Sequence, residues 1–346
     1  MWIKRRNLRN LKRRTKRKKK GHNIISKEND YIKKTKTPTR KRDIEEVTVL
    51  APENFSIINN PDELSDFFDG IKHYIKNHEK SKIKIYFDLS KIKEVTIDAI
   101  MYLLAMIKNL QTVGLTKHRF SGNLPKDKNA LEKFKESGFL DFVSSQVKSV
   151  NANANKITIR TGQSNDSKVL KEICDFVIEK SNCTKKDTKF LYPLMAEMMY
   201  NTYEHAYSNK SYTIKNWYIY VECEKNLIKT TFLDTGLGIP NTLRKRFGET
   251  IFGELESKLL ASALNGEFRS KTKLAYRNNG LPTIKDYAIK KEILNLHLLS
   301  NKAFCFIDEN GQIQSKEMKN KVMGTIFYWE LDINKIRGYE NGKDNN

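Results

Sequence analysis

No stretch of this chain approaches the roughly 18 consecutive apolar residues that a bilayer-spanning helix requires. The densest patch runs from Ala99 to Ile107 and is closed by Lys108. The first residues carry charge with no apolar core behind it, so a secretory signal is not expected. Cysteine is scarce: Cys174, Cys183, Cys223 and Cys305 stand far apart, with no Cys-x-x-Cys spacing. That pattern argues against a disulfide frame or a zinc site, and predicts reduced thiols in a cytoplasmic protein. The apolar fraction is low, 38%, yet 17 Phe and 15 Tyr supply material for cores, and 346 residues suit two domains or one large one.

Acidic residues are almost missing from the N-terminal segment. Residues 1–42 hold 19 Lys and Arg against Glu28 and Asp30, which is +17 of the total +23. The basic character therefore belongs to an arm, and self-repulsion with little to bury predicts disorder there. Such an arm suits nucleic acid or another polyanion, through counterion release. An anionic membrane surface and a merely solubilising tail are the alternatives. Aromatic residues beyond Trp2 and Tyr31 are lacking, so base stacking has little support.

Residues 43–150 alternate strand and helix signals, as an α/β unit does. Val47–Leu50 is β-branched, Pro61–His78 places Leu64, Phe67, Phe68, Ile71 and Ile75 on one side, and Ile83, Ile85 and Phe87 alternate as a strand ending in Asp88. A buried helix is expected over Ile97–Leu110, a strand near His118–Phe120 and a helix from Ala130 to a stop at Gly138. The run "IYFDLSKIKEVTIDAIMYLL" resembles the STAS family, the sulfate-transporter and anti-sigma-antagonist domain. The resemblance implies a phosphoacceptor serine where this chain has Ala99. Residues 151–165, opening with "NANAN", read as a linker that runs into a strand candidate at Ile157–Arg160.

Beyond it, amphipathic helices are expected at Val169–Glu179 and Thr188–Ala206, and strands at Trp217–Glu224 and Leu227–Leu233. A helix at Thr283–Lys291 and strands near Leu294–Leu299, Ala303–Ile307 and Thr325–Leu331 follow. Four short motifs lie among these elements. On the second helix, Glu197, Asn201 and Glu204 form a polar stripe beside the apolar one of Leu191, Leu194, Met195, Met198 and Thr202. An amide oxygen suits magnesium, a hard cation, and a carboxylate one turn earlier can activate water. Asp234 ends a strand and opens "DTGLGIP", where a carboxylate can accept from an exocyclic amine and Gly236 and Gly238 let a ligand approach. Gly280 opens "GLPTI" at a helix start, whose N–H groups can hold phosphate. Gly324 and Thr325 begin the last strand. Taken singly, these are also a surface Glu/Asn pair, an Asp-Gly turn and an ordinary helix start. The stretch from Ile239 to Asn279, with Arg269, Lys271, Lys273 and Arg277, reads as a basic lid.

In combination and order, the motifs resemble the GHKL superfamily of gyrase, heat-shock chaperones, histidine kinases and MutL. "AEMMYNTYEHAY" is most similar to the anti-sigma-factor serine kinases. The resemblance implies an ATP site with Glu197 as base, Asn201 as magnesium ligand and Asp234 as adenine anchor. It implies that Gly236, Gly238 and Gly280 shape the pocket and that Thr325 supports the base. "RNNGLPTI" has one glycine where the family often has two or three, which leaves lid closure and turnover open.

The expected fold class is therefore α/β (α+β): a GHKL-type sandwich over residues 166–335, preceded by a smaller STAS-like domain and followed by a polar tail, 336–346. The expected function is an ATP- and magnesium-binding cytoplasmic regulator, an ATPase or protein serine kinase. A non-catalytic ATP-sensing module and a nucleic-acid-tethered ATPase are the alternatives. Partner classes left open are a protein partner or substrate, nucleic acid through residues 1–42, and a second copy in a homodimer.

Overall fold

The computed structural model describes residues 31–35, 45–78, 83–112, 119–144, 153–204, 215–251, 253–268, 280–308 and 310–336. The protein is mixed α/β, built on a four-stranded sheet, a seven-stranded sheet and a two-stranded pair.

The first sheet is assembled from β1 (Ile32–Thr35), β2 (Glu45–Leu50), β4 (Ile83–Asp88) and β6 (Arg119–Gly122), in the order β1-β2-β4-β6; β3 (Asn54–Phe55) and β5 (Glu94–Val95) form the separate pair. β2, β4 and β6 run parallel and β1 antiparallel. Parallel neighbours need crossovers, and helices α1 (Pro61–Asn77) and α2 (Ile97–Thr112) supply them. α1 starts with Pro61 in its first turn and Asp62 and Glu63 beside it, all favourable at a helix N-terminus. It buries Leu64, Phe67, Phe68, Ile71 and Ile75. α3 (Lys128–Glu136) is capped by Asp127, which accepts the Ala130 N–H at 2.9 Å; α4 (Phe139–Val143) starts after Gly138.

The second sheet is antiparallel throughout. It uses β7 (Lys156–Gly162), β8 (Trp217–Glu224), β9 (Leu227–Asp234), β10 (Leu294–Ser300), β11 (Ala303–Ile307), β12 (Ile313–Glu317) and β13 (Thr325–Asp332), ordered β12-β11-β10-β13-β9-β8-β7. Trp217, Ile219, Phe232, Phe327 and Trp329 share a core with residues of α5 (Ser167–Ser181) and α6 (Leu191–Glu204). α7 (Ile239–Phe247), a 3-10 turn at Gly248–Ile251, α8 (Glu256–Leu264) and α9 (Gly280–Ile289) complete this layer.

The opposite face of this sheet is covered by the N-terminal unit. α2 packs on β8 and β9, and Tyr218, Leu233, Leu299 and Ile326 belong to the same core as Val47, Ile85 and Leu103. This explains the apolar patch at Ala99–Ile107. A helix held between two sheets is apolar all round, and nearly every side chain of α2 from Ala99 to Ile107 is fully buried. Among the described residues no helix is long and apolar enough to cross a membrane.

Three expectations change. Ile32–Thr35, placed by charge within a disordered arm, pair with β2, because alternate residues on an edge strand can stay polar. Residues 1–30 lie outside the described residues, as does the tail from 337. The strand candidate at Ile157–Arg160, within residues 151–165, is β7, an edge strand of the large sheet. The lid is largely helical from Ile239 to Leu264, whereas Arg269, Lys271, Lys273 and Arg277 lie outside the described residues. β12, "IQSKE", is an unforeseen strand with too few apolar residues to show alternation.

Ala99, in the first turn of α2, is wholly buried. Its neighbour Asp98 accepts the N–H groups of Ile57 and Ile58 at 2.8 and 3.1 Å, tying the loop after β3 to the start of α2. Burial pushes its carboxyl above the usual aspartate range, against these hydrogen bonds.

Candidate functional site

β9 and β13 are paired so that Asp234, the last residue of one, faces Thr325, the first of the other. Both therefore sit at one rim of the large sheet. α6 crosses beneath and α9 begins nearby. A cavity of about 450 Å³ opens between them. Its walls include Glu197, Asn201, Asp234, Gly236, Gly238, Gly280 and Thr325. The seven residues to which the family resemblance assigns a role are brought to one place from four separate segments. The side chain of Glu204 lies outside the described residues.

Asp234 keeps one carboxylate oxygen, Oδ1, on the Gly236 N–H at 2.7 Å. Burial pushes its carboxyl up to about 6; hydrogen bonds from Gly236 and Thr325 pull the other way without compensating. Thr325 is itself held: its hydroxyl lies 3.0 Å from that of Ser300, which also donates to the Gly324 carbonyl at 3.1 Å. Gly324 has a φ of +66°, and a Cβ there would stand 1.8 Å from the Asp234 carbonyl oxygen. No side chain fits, so only glycine lets β13 begin against the end of β9.

Glu197 projects from α6 to the start of α9, where its Oε1 accepts the Gly280 N–H at 2.7 Å. A Cβ on Gly280 would lie 2.4 Å from that carboxylate. A side chain at 280 would therefore displace the Glu197 carboxylate from its present position. Burial raises the Glu197 carboxyl above the ordinary glutamate range, and the Gly280 hydrogen bond opposes the shift. A carboxylate that holds its proton more tightly than usual and faces a cavity is suited to proton transfer. Asn201 stands one helical turn beyond, on the same wall.

Met198, Ala263 and Phe327 add apolar wall. Lys245 and Arg246 of α7 line the cavity as well, placing positive charge at its mouth. Among the described residues no group of three or more His, Cys, Asp or Glu is placed to hold a metal ion. A cation here would rest on Asn201 and on oxygens of a bound ligand.

Sequence reasoning missed Ser300 and Asn301. Ser300 Oγ accepts the Ile239 N–H at 2.8 Å, while Asn301 donates to the Leu237 carbonyl at 3.0 Å and accepts from the Asn241 N–H at 3.3 Å. Together they fasten the Asp234–Ile239 loop. Gly238 packs directly on the Asn301 amide, where a Cβ would come within 2.5 Å. Its φ of +82° strains any residue with a side chain, and such a residue would also displace the Asn301 amide. The available signal was a polar Ser-Asn pair ending an apolar strand.

Compared with known proteins, the chain matches no family model and no curated protein.

Proposed function

We propose that the cavity binds a purine nucleoside triphosphate with magnesium, and that the protein is an ATP-dependent regulator with a GHKL-type domain joined to a STAS-like unit. The observation that carries this reading is the convergence of Glu197, Asn201, Asp234 and Gly280 on one cavity of suitable size. The Asp234 carboxylate would accept the exocyclic amine of adenine. Met198, Ala263 and Phe327 would pack the ring, and Lys245 and Arg246 would attract the phosphates. Magnesium, when bound, neutralises phosphate charge, and Asn201 is the residue suited to hold it. Glu197 would orient a water or a protein hydroxyl and take its proton. That step serves either hydrolysis or transfer to a serine.

The test is thermal stability of the full chain with ATP and magnesium. At about 100 times the dissociation constant the ligand is expected to add roughly 2.7 kcal/mol. Asn201→Ala should shrink the magnesium-dependent part. A melting curve unmoved by millimolar ATP and magnesium would remove the proposal.

A second reading rests on charge alone: the basic arm tethers this domain to nucleic acid. Because β1 belongs to the fold, the informative truncation ends at residue 30, removing 13 Lys and Arg with Glu28 and Asp30. Full-length protein is expected to bind a labelled duplex with affinity falling about 10³- to 10⁵-fold between roughly 50 and 200 mM salt, if six to ten phosphates are contacted. The truncated chain should lose this binding and keep its ATP response. Equal, salt-insensitive binding by both proteins would place recognition in the folded body.

A further inference from the structure

We infer that Tyr102, in the N-terminal unit, is a positioning residue for the nucleotide cavity; the inference rests on the nucleotide reading only for its ligand. The route is the segment between β12 and β13. Asp62 accepts the Lys319 N–H at 3.2 Å and pairs with Lys316 at 2.6 Å. Asp66 pairs with Lys319 at 2.7 Å and accepts from the Asn320 amide. Three of these contacts fix the outer half of the segment to α1, and the Lys316 pair holds the end of β12 there. Its inner half ends on α2, where the Tyr102 hydroxyl accepts the Met323 N–H at 2.7 Å. The Asn109 amide, two turns along the same helix, lies 2.8 Å from the Met323 sulfur.

Tyr102 is completely buried, and its hydroxyl also accepts Lys72 Nζ at 2.8 Å. Tyr102 thus gives the Met323 N–H a fixed, partly shielded partner, and without the hydroxyl that amide loses its place on α2. The next residue after Met323 is Gly324, packed on the Asp234 carbonyl, and the next is Thr325, which donates to the Asp234 carboxylate. Tyr102 therefore sets the backbone two residues before the base-reading end of the cavity. On the other side, Lys321 pairs with Glu256 at 2.9 Å and the Ser257 N–H donates to Glu317 at 2.8 Å. The same segment thus touches α8, part of the cavity's cover. A shift of α2 against the large sheet would be felt at Thr325 and Asp234. By reciprocity, a ligand at Asp234 would stabilise the seating of the N-terminal unit.

The experiment uses the full chain with Tyr102→Phe, which keeps the ring against Phe68, whose centroid lies 4.5 Å away, and removes only the hydroxyl. A surface variant, Asp62→Asn with Asp66→Asn, serves if the first fails to fold. Hydrogen exchange of ligand-free protein is expected to quicken at residues 322–327 and 233–238, with α5 unchanged. ATP affinity should fall about tenfold, and the preference for ATP over GTP should fall with it, as loss of one partly shielded hydrogen bond implies. A general destabilisation would raise exchange in α5 too and leave the purine preference intact, which overturns the inference. Unchanged exchange at both segments overturns it as well. If wild-type protein binds no ATP, the nucleotide reading fails, while the exchange pattern still decides whether Tyr102 positions the cavity.

Discussion

Glu197→Gln will bind ATP as wild type does and lose turnover by about 10² to 10⁴, the usual contribution of a positioned base. The substitution is chosen for the geometry. A glutamine oxygen can still accept the Gly280 N–H that Glu197 holds at 2.7 Å, so the start of α9 stays in place. Only the proton-accepting capacity is removed. Nucleotide binding and phosphate release, or phosphoryl transfer to a protein, should be measured on the same preparation. Turnover surviving at the wild-type rate would show that Glu197 is not the base. If wild-type protein binds ATP without turnover, the non-catalytic sensing module becomes the better description, and Glu197 becomes a structural anchor for α9.

The second large effect is expected at Asp234, in opposite directions for stability and binding. An unfolded aspartate titrates at 3.8, whereas the folded carboxyl is pushed up to about 6 by burial. The folded state therefore holds the proton more tightly. Its stabilising contribution is full below the unfolded value, declines as pH rises through the folded value, and is absent above it. At neutral pH the ionised, half-buried carboxylate weakens the ligand-free protein by at most about 3 kcal/mol. Asp234→Asn carries no charge at any pH. It should raise the melting temperature near pH 7.5, with the gain vanishing near pH 4. Binding should move the other way. With the amide oxygen kept on the Gly236 N–H, the amide nitrogen would confront the adenine amine, donor against donor. A loss of roughly tenfold to a hundredfold in ATP affinity follows from one hydrogen bond to a charged group. Equal destabilisation by the substitution at acid and neutral pH would refute the burial argument.

Much of the cavity was legible because each of its parts has a local signature. Asp234 closes an apolar strand, Gly280 opens a helix with proline in its first turn, and Glu197 and Asn201 recur one turn apart beside an apolar stripe. The alternating and helical runs that became α1, β4, α5, β8 and β9 were equally local. What escaped depends on contacts distant in sequence. Ile32–Thr35 and Ile313–Glu317 carry too much charge to announce strands, and are strands because β2 and β11 offer them unpaired edges. The helices α7 and α8 were hidden in a basic, glycine-containing stretch, where composition favours a loop. Ser300 and Asn301 matter only because the Asp234–Ile239 loop folds back on them. Nor does the sequence pattern reveal that the apolar surplus of α2 serves two sheets at once, which is what links Tyr102 to Met323.

The central claim is most directly tested by calorimetric titration of the full chain with ATP, with and without magnesium, beside Asp234→Asn. Saturable one-site binding that strengthens with magnesium and weakens in Asp234→Asn is the predicted result. No binding at millimolar ATP and magnesium, or equal binding by the two proteins, would contradict it.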